Sequence, residues 1–192
     1  MSKWITSDTH YGHKNICRGV SEWKDLDSTR KFKTLEEMNQ TIVDNINSCV
    51  KEDDELYFLG DWAFGGIKNI LIFWEQLNCK NIFFIPGNHD HHIKKKHIIP
   101  DTDISVDKLF TVLPELYTIV VDGVKVILCH YPLEDWEDRG LGSIHLHGHS
   151  HHSLDSSETT LSERRFDVGM DWYEFRPFNL TGLIKNLNEE NY

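Results

Sequence analysis

The sequence has no run of about 18 apolar residues, so it offers no helix that could span a membrane. Its first residues lead directly into a strand-like apolar run and lack the apolar core of a secretory signal. The four cysteines are widely spaced and form no Cys-x-x-Cys pair, which argues against a disulfide framework. We therefore expect a protein of the cytoplasm whose cysteines stay reduced.

Basic residues are also in the minority, with 20 Lys and Arg against 31 Asp and Glu and a net charge of −11. Non-specific binding to duplex nucleic acid depends on contacts of Lys and Arg with phosphate. The composition therefore argues against a protein that binds long duplexes along a basic groove. Histidine is abundant, with 12 residues, and most of them lie in or beside the ends of predicted strands.

The chain of 192 residues has no linker rich in Pro, Gly or Ser and no internal repeat, so we expect one domain over residues 1–192. Its first half alternates strand-like runs with helical patterns, which predicts parallel strands joined by right-handed crossovers. Helices are predicted over residues 35–50, where Thr34 and Glu37 have the form of a capping box, and over residues 67–77.

From residue 111 onward the pattern changes to short strands, for which we expect antiparallel pairing. Asp122 and Gly123 separate two strand-like runs, which is a strong hairpin signal. The elements predicted here are strands over residues 116–121, 124–129, 143–147, 165–168 and 178–181, a polar loop over 155–163 and a short helix over 181–188. These elements fit an α/β domain with one mixed sheet or with two facing sheets.

Polar side chains recur where the predicted strands end. Five strand ends carry carboxylate, amide or imidazole groups, namely Asp8 with His10, Asp61, Asn88, His130, and His149 with His151. In open α/β sheets, ligands bind at the carboxyl ends of the strands. Two carboxylates, one amide and four imidazoles at that edge predict a site for two metal ions.

The types of donor indicate which metals would bind. A mixture of Asp, Asn and His without a thiolate suits divalent transition ions. We expect two divalent ions, manganese first, with iron, zinc, nickel, cobalt or magnesium as the alternatives. The side chains of Asp8 and His10 would point to the same side of an extended strand, and the carboxylate of Asp61 can bridge two ions. Such ions would add about four positive charges, which would let an anionic phosphate approach an acidic protein.

The order D-x-H, G-D, G-N-H-D, a lone strand-end His and G-H-x-H resembles the calcineurin-like metallophosphoesterase superfamily. The chain is most similar to small single-domain bacterial and phage members, whose opening resembles residues 8–16. The resemblance implies a four-layer α/β sandwich, in which two facing mixed sheets are flanked by helices and a dinuclear site lies between them. It implies that Asp8, His10 and His151 hold one ion, that Asn88, His130 and His149 hold the other, and that Asp61 bridges them.

The resemblance also implies the reaction. Two ions about 3.5–4 Å apart bind a bridging water and lower its pKa toward ~7, which makes hydroxide available for in-line attack on phosphorus. His89, which would not bind metal, would be the catalytic residue that stabilises the developing charge or protonates the leaving oxygen. Many members orient this histidine with an acidic residue three positions after the bridging Asp. This chain has Phe64 there, which leaves open what orients His89.

These features predict a metal-dependent phosphoesterase for small phosphodiesters or phosphomonoesters, with nucleotide-like substrates. His13, Arg18 and Arg139 are candidates for substrate contact, against a loop hydrogen bond for the histidine and surface ion pairs for the arginines. A nuclease or repair enzyme is a second hypothesis, and a non-catalytic scaffold of the same fold is a third. The acidic balance argues against long duplex nucleic acid as a partner, and the oligomeric state stays open.

Overall fold

The computed structural model describes residues 1–153 and 164–189, so the predicted loop over residues 155–163 lies outside the described residues. The strands are β1 (Lys3–Thr6), β2 (Glu55–Phe58), β3 (Ile82–Phe84), β4 (Thr111–Val112), β5 (Leu116–Val121), β6 (Val124–Cys129), β7 (Ile144–His147), β8 (Arg165–Asp167) and β9 (Phe178–Asn179). The α-helices are α1 (Leu35–Cys49), α2 (Ile67–Gln76), α3 (His91–Lys94) and α4 (Leu180–Glu189). Within the described ranges, no helix has both the length and the apolar character needed to cross a bilayer.

The strands form two mixed sheets. The first has the order β4-β3-β2-β1-β9, in which β1 to β4 run parallel and β9 is antiparallel to β1. The second has the order β5-β6-β7-β8, in which β5 and β6 form an antiparallel hairpin and β6, β7 and β8 run parallel. The predicted α/β sandwich, with two mixed sheets flanked by helices, is confirmed.

The hairpin signal is confirmed, but the expectation of antiparallel pairing throughout the second half is wrong. Asp122 and Gly123 both have positive φ, at 49° and 82°, as a two-residue hairpin turn requires. The connection from β6 to β7 instead spans residues 130–143, which is long enough to return the chain in the parallel sense. As a consequence, the carboxyl ends of β6 and β7 lie at the same edge of the sheet.

Helix α1 shows why the capping pattern predicted it correctly. The hydroxyl of Thr34 accepts a hydrogen bond from the backbone N–H of Glu37 at 3.1 Å. Helix-capping hydrogen bonds of this kind stabilise a helix by about 1 kcal/mol. The face of α1 formed by Met38, Ile42 and Ile46 is fully buried. This face packs into the hydrophobic cluster that covers one side of the first sheet.

The first sheet is buried on both faces because its side chains alternate between two hydrophobic clusters. In β2, Leu56 and Phe58 join the cluster with α1 and α2, whereas Tyr57 and the following Leu59 join the cluster with the second sheet. This alternation with a period of two residues is what a strand between two apolar layers requires. The facing sheets therefore bring their strand ends together at one edge of the molecule, where Asp8 Oδ2 accepts a hydrogen bond from the backbone N–H of His149 at 2.9 Å.

Candidate metal centre

Five of the seven predicted metal ligands have a left-handed backbone conformation. Their φ angles are 56° at Asp8, 47° at His10, 58° at Asp61, 67° at His149 and 46° at His151. Such a conformation costs a non-glycine residue about 1–3 kcal/mol and persists where the surroundings impose it. Because these strained residues are concentrated at the strand ends, they support the prediction that a functional site lies there.

Two glycines allow the loops after β2 and β3 to approach each other closely. A Cβ atom on Gly60 would lie 2.4 Å from the backbone nitrogen of Gly87, and one on Gly87 would lie 2.3 Å from Asp61 Oδ1. The carboxylate of Asp90 also joins the loops, because it accepts backbone N–H groups from Asp61 and Gly87, each at 2.7 Å, and from Trp62 at 3.0 Å. The sequence did not assign a role to Asp90. In the structure, its carboxylate holds the backbone of Asp61 against the loop that contains Gly87.

The first predicted ligand set converges on one point. The Nε2 atoms of His10 and His151 lie 3.0 Å apart, and they are 3.8 Å and 3.9 Å from Asp8 Oδ1. Asp8 comes from the loop after β1 and His151 from the segment after β7, so this set joins the two sheets. The three residues offer ligand atoms within 4.8 Å of one another, as a metal site requires.

The second predicted set converges in the same way. The side-chain oxygen of Asn88 lies 2.8 Å from His130 Nε2 and 3.0 Å from His149 Nδ1. The Nδ1–H of His130 donates to the carbonyl of Leu59 at 2.7 Å, which leaves Nε2 as the acceptor atom that faces the site. Metal-binding histidines commonly use their second nitrogen for such a hydrogen bond to a backbone carbonyl.

Asp61 lies between the two sets. Its Oδ2 atom is 3.6 Å from His10 Nε2 in the first set and 3.7 Å from His130 Nε2 in the second. Its Oδ1 atom accepts the backbone N–H of His89 at 2.9 Å, which fixes the orientation of the carboxylate. The position of Oδ2 is therefore the one that a bridging ligand would occupy.

The surrounding groups fit cations. Asp8 is fully buried, its Oδ1 atom has no hydrogen-bond partner, and burial raises its pKa to about 7. Burial alone would lower the pKa of His151, but its hydrogen bond to Asp171 and the charge of Asp8 raise it. Burial lowers the pKa of His10 well below its ordinary value, which keeps this imidazole in the neutral form that binds metal. An unpartnered buried carboxylate oxygen beside imidazole acceptors is a site that a divalent cation would satisfy.

Sequence reasoning missed a partly buried network of hydrogen bonds behind the first set. The Nδ1–H of His151 donates to Asp171 Oδ2 at 2.7 Å, and Asp171 receives the guanidinium of Arg30 at 2.7 Å and 3.0 Å. Arg30 also donates to the carbonyls of Asp8 and Thr9, each at 2.6 Å. Burial would raise the pKa of Asp171, but Arg30 and His151 outweigh it and hold the pKa well below its usual range.

His89 lies beside the two sets with an exposed side chain, and its Nε2 atom is 4.0 Å from Asp61 Oδ2. The ring of Phe64 lies 4.7 Å from it, and Phe64 stacks on His13 at 3.8 Å. Aromatic packing by Phe64 therefore occupies the position at which the resemblance implied a carboxylate. The carboxylate of Asp90 faces backbone N–H groups, so it is not a substitute acid for His89.

The three predicted substrate contacts lie in different surroundings. His13 is at the rim of the site, 5.7 Å from His10 between ring centres, and burial is the main cause that lowers its pKa to about 4. Arg18 donates to the carbonyl of Leu26 at 2.7 Å, within its own loop. Arg139 donates to the carbonyl of Glu134 at 2.6 Å, also in its own loop. Substrate contact by each of the three stays a prediction.

The comparisons with known proteins agree with this geometry. A model of the family described as calcineurin-like phosphoesterase matches residues 1–180, and the chain belongs to this family. Members of the family hydrolyse phosphoesters and generally bind divalent metals, which agrees with the groups of Asp and His that could hold a metal here.

The relatives and solved structures extend the likeness over nearly the whole chain. An uncharacterized protein of Methanocaldococcus jannaschii is 29% identical over 95% of this chain and 89% of its own length. The Gene 66 protein of Mycobacterium phage L5 is 26% identical over 88% of this chain and 86% of its own length. The crystal structure of a protein of unknown function from Aquifex aeolicus, 20% identical, covers 96% of this chain and 98% of its own with a TM-score of 0.68, which shows the shared fold.

Proposed function

We propose that this protein hydrolyses small phosphodiesters or phosphomonoesters, with nucleotide-like substrates, at a centre of two divalent metal ions. The observation that carries the proposal is the position of Asp61 Oδ2, 3.6 Å from His10 Nε2 and 3.7 Å from His130 Nε2. One ion would be held by Asp8, His10 and His151 and the other by Asn88, His130 and His149, with Asp61 shared. Manganese is the first candidate, because the donors are oxygen and imidazole nitrogen without thiolate.

The bound ions would supply Lewis-acid charge at the phosphate and a water of lowered pKa. The protein's own groups orient the ligands and supply a proton. The backbone N–H of His89 fixes the Asp61 carboxylate, and the carbonyl of Leu59 fixes the imidazole of His130. The side chain of His89 is 45% exposed and lies next to Asp61, so it is placed to donate a proton to the leaving oxygen.

Substrate size and compartment are further parts of the proposal. The net charge of −11 supports small substrates and not long duplex nucleic acid, because binding along a duplex requires a basic surface. The four cysteines are free thiols, which supports the cytoplasm as the place of action.

The proposal is tested with purified protein that has been treated with a chelator and reconstituted with manganese. We expect hydrolysis of bis(p-nitrophenyl) phosphate to disappear on chelation and to return with manganese. Asp61→Asn should lower both activity and metal content, since it removes the charge shared by the two ligand sets, whereas Asp107→Asn, a buried aspartate of another segment, should retain both. Activity that persists without metal would contradict the proposal.

A panel with cyclic nucleotides, single strands and duplex DNA defines the substrate. Duplex DNA as the best substrate by kcat/KM would favour a nuclease.

A further inference from the structure

A cavity of about 580 Å³ adjoins the candidate metal centre. His151 lines it on the side of the metal ligands, and Ile16 and Phe175 line it with apolar surface. Trp23 and Ser28 also line it, from the loop that follows the D-x-H motif. Its volume is within the range of about 300–1,000 Å³ that is usual for small-molecule sites. A larger cavity of about 760 Å³ lies near β8 and β9, where the predicted ligands do not line it.

Trp23 gives this cavity an aromatic surface. Its side chain is 41% exposed, and its ring meets the ring of His13 edge-on at 5.7 Å and 81°. The exposed part of the indole is available to a flat ligand. His13 in turn stacks on Phe64, and Phe64 packs against His89, so the indole is part of a continuous aromatic wall that leads to the candidate catalytic residue.

The charges around the cavity favour a neutral ligand. The carboxylates of Asp27 and Asp171 line it together with the guanidinium of Arg30, and the imidazole of His151 faces Asp171. The guanidinium of Arg30 is already bound to Asp171 and to the carbonyls of Asp8 and Thr9. A phosphate in this cavity would meet two carboxylates and a cation whose charge is already paired. A neutral ring with hydroxyl groups would meet apolar surface, an indole face and polar groups.

We propose that this cavity binds the nucleoside portion of a phosphodiester whose phosphate lies at the metal centre. The inference rests on the proposed function. It narrows the substrate class to phosphodiesters that carry a neutral nucleoside, which we expect to be better substrates than nucleoside polyphosphates. Stacking of the base on Trp23 supplies affinity that tolerates different bases, because every base has a π-face.

The test uses two esters with the same leaving group, thymidine 5′-(p-nitrophenyl phosphate) and methyl p-nitrophenyl phosphate, assayed with manganese. Wild type should hydrolyse the thymidine ester with a kcat/KM about tenfold higher than the methyl ester. Trp23→Ala should remove that advantage, because it should lower kcat/KM for the thymidine ester about tenfold more than for the methyl ester. Trp23→Phe should retain most of the advantage, and Ser28→Tyr should remove it by filling the cavity. Trp172→Ala is the matched control, because Trp172 is an exposed indole, at 52%, that lines the other cavity.

A second readout separates this inference from the proposed function. Thymidine alone has no phosphate, so calorimetric titration should detect its binding to wild type with or without metal and a loss of about tenfold in Trp23→Ala. If neither ester is hydrolysed, the proposed function fails, while thymidine binding still decides the role of the cavity. If both esters are hydrolysed equally well and Trp23→Ala leaves thymidine binding unchanged, the role of the cavity is overturned and the hydrolytic function stands.

Discussion

The Nδ1 atom of His151 lies 2.7 Å from Oδ2 of Asp171, and the two residues are 20 positions apart in the chain. Because the carboxylate accepts the Nδ1–H, the Nε2 atom of His151 is directed at the ligand set of Asp8 and His10. Arg30 ties the same carboxylate to the backbone of the loop after β1. One partly buried network therefore positions candidate ligands that come from both sheets.

Replacing Asp171 by Asn should weaken metal binding, because the amide no longer provides a charged acceptor for His151 and no longer neutralises Arg30. Residues that hold a metal-binding histidine in place commonly change metal affinity by about 10–100-fold when they are replaced. We expect a loss in this range, measured by calorimetric titration of the metal-free protein with Mn²⁺. Asp107→Asn is the control, and thermal unfolding shows whether the fold is retained. Unchanged affinity in Asp171→Asn would show that the network does not support metal binding.

Replacing His89 by Ala or Gln should reduce turnover and leave the metal content unchanged, since its imidazole lies beside the ligand sets and is exposed. General acid catalysis typically contributes about 10²–10⁴-fold, and we expect a fall in kcat within that range. The measurement combines steady-state kinetics with metal analysis of the same samples. His91→Ala, in the neighbouring helix α3, is the matched control. Loss of a metal ion from His89→Ala would show that His89 is a ligand.

His145 should make the folded protein less stable in mild acid. It is fully buried, its Nδ1–H donates to the carbonyl of Ile127 and its Nε2 accepts from the N–H of Leu133, each at 3.1 Å, so the neutral ring satisfies both contacts. Burial lowers its pKa to about 4, and the neighbouring His147 and Arg165 also disfavour its protonation. The unfolded chain binds this proton near pH 6.5, so the stabilisation is present above that pH and is lost as the pH falls toward 4.

Urea unfolding of wild type and His145→Gln at several pH values measures this effect. Between pH 7.5 and pH 5, the free energy of unfolding of wild type should fall by about 2 kcal/mol more than that of the variant. Other titrating groups are common to both proteins and cancel in the difference. If the free energy of unfolding falls equally with pH in the two proteins, His145 does not have this role.

The sequence predicted which strand-end side chains lie together better than it predicted the groups that position them. Asp8, His10 and Asp61 follow buried strands, and the carboxyl ends of parallel strands meet at one edge, so local patterns were sufficient to bring them together. Arg30 and Asp171 are 141 residues apart and belong to no motif, so their ion pair follows only from the tertiary fold. The parallel pairing of β6 and β7 was missed for a similar reason, because alternation of side chains along a strand does not reveal the direction of its neighbour.

If two metal ions share Asp61, titration of the metal-free protein with Mn²⁺ should show two binding events. Metal analysis after removal of unbound ions gives the number of ions per chain, and activity is followed in the same samples. We expect two ions per chain in wild type, one in His130→Ala, and activity that appears as the second ion binds. A wild-type protein that reaches full activity with one tightly held ion would contradict the sharing of Asp61 by two ions.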